Sequence, residues 1–305
     1  MSRKGQRKRP FWEKFKKKIT PHQYIENEIV RLEKLDDESR DLWAEFQGHL
    51  AFERDRVLDQ IKDGLLESSS FDYSMSNFSR ITGSQFSQNP LSGKGSYLAP
   101  PGGRFNFGQS ISYQTYFPAL YLASDYKTAF AEKFHQSDDF IGKNGLNIFD
   151  LGLRGPDSFL HVRTNFYLER VLDLRGPDVF RLFYNSISHI KIPKSIIKRA
   201  EKLKINLSLA NSPVNLEKSI FDPNYEQWDT WIDQPSPSQW FGHYARLAGI
   251  QGIIYPSVRK EEGFNLAIFI DQFEDSNSFV ELADEVGHID SEFRKLESNN
   301  LNLFI

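Results

Sequence analysis

The sequence predicts an α+β protein with a helical N-terminal part and a larger part that mixes strands with helices. Two observations lead to this fold class. Residues 22–66 repeat apolar side chains at three- and four-residue steps, the spacing of an amphipathic helix. From about residue 80 onward, short runs typical of β-strands alternate with helical stretches, without the βαβ rhythm of a doubly wound sheet.

The composition fits a globular chain and excludes several kinds of site. Of the 305 residues, 39% are hydrophobic, including 26 Phe and 12 Tyr, which is enough for a sizeable core. A net charge of −3 gives no electrostatic reason to expect a nucleic-acid partner. The absence of cysteine excludes disulfides, thiol catalysis and cysteine metal sites, and it fits a cytoplasmic location. No apolar run predicts a membrane span, and no apolar stretch of a secretory signal follows the basic N-terminus.

The N-terminal region divides into three segments. Residues 1–20 are rich in Lys and Arg, and both a flexible solvated tail and a contact with an anionic surface fit them. Residues 21–68 predict a helical extension, either a helical pair or one long broken helix, because no proline follows Pro21 within this segment. Residues 67–79 are rich in Ser and Asn and predict a linker.

The first elements after this linker alternate between strand and helix. The run "ALYLA" (119–123) predicts a short strand, and Ser124 is a suitable N-cap for a helix through "DYKTAFAEKF" (125–134). The run "FYLERVLDL" (166–174) predicts another strand.

The last elements are a helix, a hairpin and a tail. The run "SQWFGHYARLAG" (238–249) predicts a helix that ends at Gly249. The runs "GIIYPS" (252–257) and "FNLAIFI" (264–270) predict two strands of a buried hairpin. Residues 274–305 predict an acidic C-terminal tail that is helical in part.

The loop "PGGRFNFG" (101–108) is the first candidate for ligand binding. It matches neither the G-x-G-x-x-G pattern nor the Walker A pattern. Gly102 and Gly103 allow a ligand to approach the backbone closely, and Arg104 offers a planar fork that suits a phosphate. From these residues alone, an ordinary turn and a phosphate-binding loop both fit.

Other candidate residues carry little information individually. Glu132 lies off the apolar stripe of its helix, as a solvent-facing side chain does. Ser257 stands in "YPSVR", which is not the G-x-S-x-G turn of serine hydrolases. The seven histidines show no paired ligand spacing, so the sequence predicts no metal site.

Four sequence blocks in one order resemble the RES-domain family, which is named for its arginine, glutamate and serine. The blocks are "FSRITG" (78–83), "GGRFN" (102–106), "ALYLASDYKTAFAE" (119–132) and "GIIYPSVRKEEGFNLAIF" (252–269). The family comprises bacterial toxins of toxin–antitoxin pairs, similar in fold to ADP-ribosyltransferases. The resemblance implies that residues 69–273 form a catalytic, NAD-binding RES domain with a mixed, mainly antiparallel β core. Because the blocks begin after residue 77, a core without residues 1–66 is expected to fold.

The resemblance also implies roles for individual residues. Glu132, Arg104 and Tyr121 are the expected catalytic residues, with Glu132 at the ribose and Tyr121 in the nicotinamide pocket. The side chains expected to bind NAD⁺ are those of Arg80, Arg104, Asn106, Tyr121, Ser236 (or Ser238) and Ser257. NAD⁺ is then a substrate, and no resident cofactor is expected.

The function implied by the family is cleavage of NAD⁺ at the nicotinamide–ribose bond. With phosphate or water as acceptor, the enzyme is an NAD⁺ phosphorylase or an NAD⁺ glycohydrolase, active in the cytoplasm and neutralised by an antitoxin partner. Two alternatives stay open: a protein ADP-ribosyltransferase that uses the same site, and a non-catalytic scaffold that uses the basic segment and N-terminal helices. The oligomeric state is open as well.

Overall fold

The computed structural model describes residues 21–98, 101–109, 116–134, 159–207, 209–228, 235–285 and 287–305, with side chains from residue 29 onward. The predicted basic segment, residues 1–20, lies outside the described residues. The helices are α1 (Pro21–Asp55), α2 (Leu58–Glu67), α3 (Tyr126–Phe134), α4 (Asp178–Ile187), α5 (Lys194–Leu203), α6 (Pro213–Ile220) and α7 (Pro237–Leu247). The strands are β1 (Ser69–Gly83), β2 (Leu120–Ala123), β3 (Phe159–Asp173), β4 (Gly252–Pro256), β5 (Phe264–Ile268), β6 (Phe279–Leu282) and β7 (Lys295–Glu297).

The strands form one sheet in the order β1-β2-β5-β4-β3-β6-β7. Because β1 also pairs with β3, five of these strands close into a ring that β6 and β7 extend outward. Within the described residues, every pairing is antiparallel except that of β3 with β4. The predicted α+β class with a mainly antiparallel core is therefore confirmed, as is the hairpin of β4 and β5.

The prediction of a linker over residues 67–79 is wrong, because β1 occupies most of that segment. This strand pairs with β3 along nearly its whole length, from Ser69 opposite Leu172 to Gly83 opposite Phe159. Its first nine residues have no fully buried side chain, so Ser and Asn are tolerated there. The backbone hydrogen bonds to β3 hold the strand in place, and local composition does not reveal them.

The predicted helical extension is confirmed, and it packs into the core of the protein. The side chains of Ile61 and Leu65 in α2 are fully buried in the same cluster as Phe183 of α4 and Phe241 of α7. The longer α1 contributes Leu42, Phe46 and Leu50 to a second cluster with α5. Among the described residues, no helix combines the length and the apolar character that crossing a bilayer requires.

The expectation that the acidic C-terminal segment is helical in part is confirmed by two short 3-10 helices, Ser291–Phe293 and Ser298–Leu303, but it missed two strands. The segment adds β6 beside β3 and then β7 beside β6. In β6, Val280 and Leu282 are buried while Glu281 between them points outward. The acidic residues concealed this two-residue alternation, which is the signature of a half-buried strand. Phe304 near the end of the chain is also fully buried.

Candidate active site

A cavity of about 210 Å³ lies between the strands of the closed ring, α3 and the glycine loop. The polar and aromatic residues that line it are Ser79, Arg80, Arg104, Tyr121, Glu132, Lys133, Tyr225, Glu226, Tyr255, Arg259 and Asn265. Four residues predicted from distant parts of the sequence therefore meet here: the two arginines, the tyrosine and the glutamate.

The start of α3 sets the position of Glu132. The prediction that Ser124 is the N-cap of α3 is wrong, because Asp125 has this role. The Asp125 carboxylate accepts hydrogen bonds from the backbone N–H and the hydroxyl of Thr128, at 2.9 and 2.7 Å. Burial opposes ionisation of Asp125, but these hydrogen bonds lower its pKa. Ser124 instead continues the pairing of β2 with β5, since its N–H donates to the carbonyl of Phe264 at 2.8 Å.

Glu132 points into the cavity with one carboxylate oxygen held by two donors. Its Oε1 accepts hydrogen bonds from the hydroxyl of Ser257 at 2.6 Å and from the amide of Asn265 at 2.8 Å. Its Oε2 lies 3.7 Å from Nε of Arg259. The side chain is thus an oriented carboxylate rather than a solvent-facing helical glutamate.

Sequence reasoning missed Asn265 and Arg259. A polar residue inside the apolar run "FNLAIFI" was the available signal for Asn265, since an amide on a buried strand must find a partner. Arg259 had no comparable signal, because it stands in a charged loop between two strands.

Ser257 joins the turn after β4 to Glu132. Besides donating to the carboxylate, its hydroxyl accepts hydrogen bonds from the backbone N–H groups of Arg259 and Lys260, at 3.2 and 3.0 Å. The hydroxyl oxygen of Ser257 therefore orients the Glu132 carboxylate and also holds the turn that carries Arg259.

Arg80 is held in the cavity wall by three backbone carbonyls. Its Nε, Nη1 and Nη2 donate to the carbonyls of Pro90, Tyr121 and Ser92 at 2.7, 3.0 and 2.9 Å. Burial lowers the pKa of Arg80 to about 10, so the guanidinium stays charged at neutral pH. Arg80 thus ties β1 to β2 and contributes a fixed positive charge to the wall.

Arg104 is held by the last residue of α6 and by the turn that follows this helix. Its Nη1 donates to the carbonyls of Ile220 and Asp222 at 3.2 and 2.9 Å. Its guanidinium carbon lies 4.5 Å from the ring centroid of Tyr225. These contacts orient the arginine before any ligand arrives, and the aromatic face adds a cation–π contact.

The glycine loop wraps around Tyr121. The Tyr121 hydroxyl donates to Oδ1 of Asn106 at 2.8 Å and accepts from the N–H of Phe105 at 2.9 Å. Burial raises the pKa of Tyr121, so the phenol stays neutral. A Cβ at Gly103 would overlap the tyrosine ring, and this close approach explains why a glycine stands there.

Two predicted binding residues, Asn106 and Ser236, lie behind the cavity lining. The amide of Asn106 is fully buried and donates to the carbonyls of Ser96 and Phe117 at 3.0 and 2.9 Å. Ser236 is the N-cap of α7, and its hydroxyl lies 2.9 Å from that of Ser238. In the structure these side chains support the walls of the site.

Gln239 is a supporting residue that sequence reasoning missed. Its Nε2 donates to the carbonyls of Pro101, Gly103 and Asn106 at 2.6, 3.1 and 3.2 Å. Its Oε1 accepts from the N–H of Ser236 and completes a capping box. One side chain therefore caps α7 and fastens the glycine loop to it. The S-x-x-Q spacing of that box was readable in the sequence.

Comparisons with known proteins give one family match. A family model described as RES domain matches residues 77–181 and 197–285. These ranges contain the cavity-lining arginines, Tyr121 and Glu132, and leave out α1, α2 and β7. No curated protein matches the sequence. Among solved structures, a chain of the M. tuberculosis MbcT-MbcA toxin-antitoxin complex is 15% identical; the likeness covers 80% of this chain and 96% of that chain, with a TM-score of 0.36.

Proposed function

The chain belongs to the RES domain family, and we propose that it is an NAD⁺-degrading toxin that cleaves the nicotinamide–ribose bond. The observation that carries the proposal is the convergence of Glu132, Tyr121, Arg80 and Arg104 on one cavity. A carboxylate beside an aromatic wall and fixed positive charges suits a substrate that joins a sugar, a planar base and a pyrophosphate.

The size of the cavity favours one end of the dinucleotide. Its volume of about 210 Å³ is below the roughly 300–1,000 Å³ of pockets that bury a whole drug-sized ligand. We infer that nicotinamide and its ribose enter the cavity between Tyr121 and Glu132. The pyrophosphate then stays within the field of Arg80 and Arg104.

In the proposed reaction the C–N bond between ribose and nicotinamide breaks, and nicotinamide leaves as a neutral molecule with the bonding electrons. The ribose gains oxocarbenium character, and the Glu132 carboxylate stabilises that growing positive charge. Because Ser257 and Asn265 occupy Oε1, Oε2 is the oxygen placed to accept a hydrogen bond from a ribose hydroxyl. An oxygen of the acceptor, phosphate or water, forms a bond to the anomeric carbon in place of the broken bond to nicotinamide, and the proton of the acceptor is released to solvent.

We propose phosphate as the preferred acceptor, with water as the other option. Arg80, Arg104 and Arg259 all line the cavity, whereas the pyrophosphate of NAD⁺ carries only two negative charges, so one arginine remains for a second anion. A phosphate bound beside the ribose reacts at a far higher effective concentration than one in solution. A cell that makes such an enzyme loses its NAD⁺ unless a partner covers the cavity, so the proposal includes a cytoplasmic antitoxin.

The test is incubation of the purified protein with NAD⁺ in phosphate-free buffer and across a phosphate titration. We expect nicotinamide release that rises with phosphate and saturates, with an ADP-ribose phosphate as product. Plain ADP-ribose at a rate indifferent to phosphate assigns water as the acceptor. Transfer of adenine-labelled NAD⁺ onto protein would replace the proposal by ADP-ribosylation, and absence of nicotinamide release would overturn it.

A further inference from the structure

Arg259 is the cavity arginine whose hydrogen-bond donors are least used by the protein itself. A guanidinium has five N–H donors, of which Arg80 uses three on backbone carbonyls and Arg104 uses two. Within the part of the chain that the structure describes, the guanidinium of Arg259 donates no hydrogen bond, and its side chain is 23% exposed. Its ion pair with Glu132 spans 3.7 Å, which is longer than a hydrogen bond. Arg259 therefore presents free donors to the cavity.

The loop between β4 and β5 holds Arg259 at this place. The N–H of Ser257 donates to the carbonyl of Gly263 at 2.8 Å and closes the loop. The Ser257 hydroxyl accepts from the N–H of Arg259 within it. A Cβ at Gly263 would overlap Thr128 of α3, so the base of the loop lies against the helix that carries Glu132. The backbone of Arg259 is thus fixed relative to the carboxylate before a ligand binds.

The charges around the cavity favour an anion in addition to the pyrophosphate. Among the described lining residues, four cationic side chains stand against two carboxylates: Arg80, Arg104, Lys133 and Arg259 against Glu132 and Glu226. A phosphate close to the ribose would be repelled by the Glu132 carboxylate. Because Arg259 adjoins Oε2 of that carboxylate, its positive charge offsets this repulsion for an anion bound to its Nη groups.

We propose that Arg259 binds the acceptor phosphate and thereby selects phosphate over water, an inference that rests on the proposed function. An oxygen of the phosphate held by Arg259 forms the bond to the anomeric carbon, and nicotinamide leaves with the electrons of the broken C–N bond. Arg80 and Arg104 remain with the pyrophosphate. Water is neutral and gains far less from a guanidinium than a phosphate does, so Arg259 favours one acceptor over the other.

The first measurement is binding of inorganic phosphate to the full-length protein without NAD⁺, by isothermal titration calorimetry. We expect saturable binding that Arg259→Gln weakens at least about tenfold, since hydrogen bonds to a charged group are lost. Arg259→Lys keeps the charge without the planar fork and should bind with intermediate affinity. The absence of saturable binding to the wild-type protein, or equal affinity of wild type and Arg259→Gln, would overturn the proposal.

Lys260→Met is the matched control for this measurement. It removes a positive charge from the next position of the same loop, and Lys260 is not among the described residues that line the cavity. We expect this variant to bind phosphate as the wild type does. An equal loss of phosphate affinity in Lys260→Met and Arg259→Gln would show that the general charge of the loop is responsible, which contradicts the assignment to Arg259.

The second measurement is nicotinamide release across a phosphate titration, with the products identified. In Arg259→Gln, the phosphate concentration that gives half the maximal rate should rise at least about tenfold. The rate in phosphate-free buffer should stay near that of the wild type, and plain ADP-ribose should become the main product. A residue that only oriented Glu132 would lower the rate with both acceptors, so equal losses would refute the proposed selection.

The two measurements separate this inference from the proposed function. A wild-type rate that is indifferent to phosphate overturns the role of Arg259 and leaves an NAD⁺ glycohydrolase. If the wild-type protein releases no nicotinamide, the proposed function fails, whereas weaker phosphate binding in Arg259→Gln still assigns the anion site to Arg259.

Discussion

Glu132 owes its orientation to two side chains at the ends of other elements. Ser257 follows β4 and Asn265 stands in β5, and both donate to the same carboxylate oxygen. The carboxylate is held before substrate binds, which is the condition under which an electrostatic contact contributes most to a transition state. Its neutral isostere therefore provides a direct test of its role.

The substitution Glu132→Gln keeps the size of the side chain and removes its charge. We expect at least about a hundredfold loss of NAD⁺ cleavage, the order seen when one transition-state electrostatic contact is removed. The free energy of unfolding should change little. Nicotinamide release gives the rate, and Glu261→Gln, at an exposed loop position, is the matched control. A folded Glu132 variant with near wild-type turnover would refute the assignment.

His243 makes stability dependent on pH. Burial lowers the pKa of His243 to about 4, and the charge of Arg246 acts in the same direction. An unfolded histidine has a pKa of about 6.5. Between these two values the unfolded state binds a proton that the folded state does not, so the free energy of unfolding falls as the pH falls through this window.

Urea unfolding at pH 7 and pH 5 measures this effect. The wild-type protein should lose about 2 kcal/mol more between the two pH values than His243→Gln does. The comparison between the two proteins cancels other groups that titrate in the window, including His161, whose pKa burial also lowers. Parallel pH profiles for both proteins would show that folding does not lower the pKa of His243.

At the scale of elements, α7 is the helix that holds the glycine loop in place. Gln239 binds three carbonyls of the loop, and one turn later Gly242 lies so close to the carbonyl of Phe105 that a Cβ would overlap it. The close contact between α7 and the glycine loop therefore requires a glycine at position 242.

The substitution Gly242→Ala should destabilise the protein by about 1–3 kcal/mol, because backbone must move to relieve the overlap. Gly48→Ala in α1 is the matched control, since a Cβ there would have no atom within 4 Å. We expect that control to stabilise by roughly 0.5–1 kcal/mol, as alanine favours the helix. Denaturant unfolding measures the free energy of unfolding of both variants. Equal changes in the two variants would mean that α7 and the loop are not in close contact.

At the scale of the whole molecule, the N-terminal extension shares a core with the domain that the family model matches. Ile61 and Leu65 of α2 are fully buried in one cluster with Phe105 of the glycine loop and Phe241 of α7. This burial revises the expectation that the core folds without residues 1–66. The helix α1 packs through a separate cluster with α5.

Two truncations separate these contributions. Removal of residues 1–67 takes away both helices, and we expect an unfolded or insoluble chain. Each buried Ile or Leu lost costs about 2–5 kcal/mol, and whole domains are stable by only about 5–15 kcal/mol. Removal of residues 1–56 leaves α2 in the central cluster and should give a folded protein of lower stability. Circular dichroism and thermal unfolding report both results, and a stable protein lacking residues 1–67 would show that α2 is dispensable.

Local patterns of apolar residues were enough to predict those elements that bury one face of their own. Apolar spacing predicted the helical extension, the helix that ends at Gly249 and the hairpin of β4 and β5, because each element buries its own face. The ordered blocks also indicated the family and four residues of the cavity lining. The linker was misassigned, and the strands of the C-terminal segment were missed, because local composition does not show which distant strand will pair with a polar segment.

The assembly of the candidate site depends on contacts between residues that are far apart in the sequence. Asn265 reaches Glu132 across 133 positions of sequence, and Gln239 reaches the carbonyl of Gly103 across 136. Such contacts depend on where helices and strands pack, and no local propensity encodes them. Packing also explains why Glu132 could not be recognised from its helix alone. The side chains that orient its carboxylate, Ser257 and Asn265, follow more than a hundred residues later in the sequence.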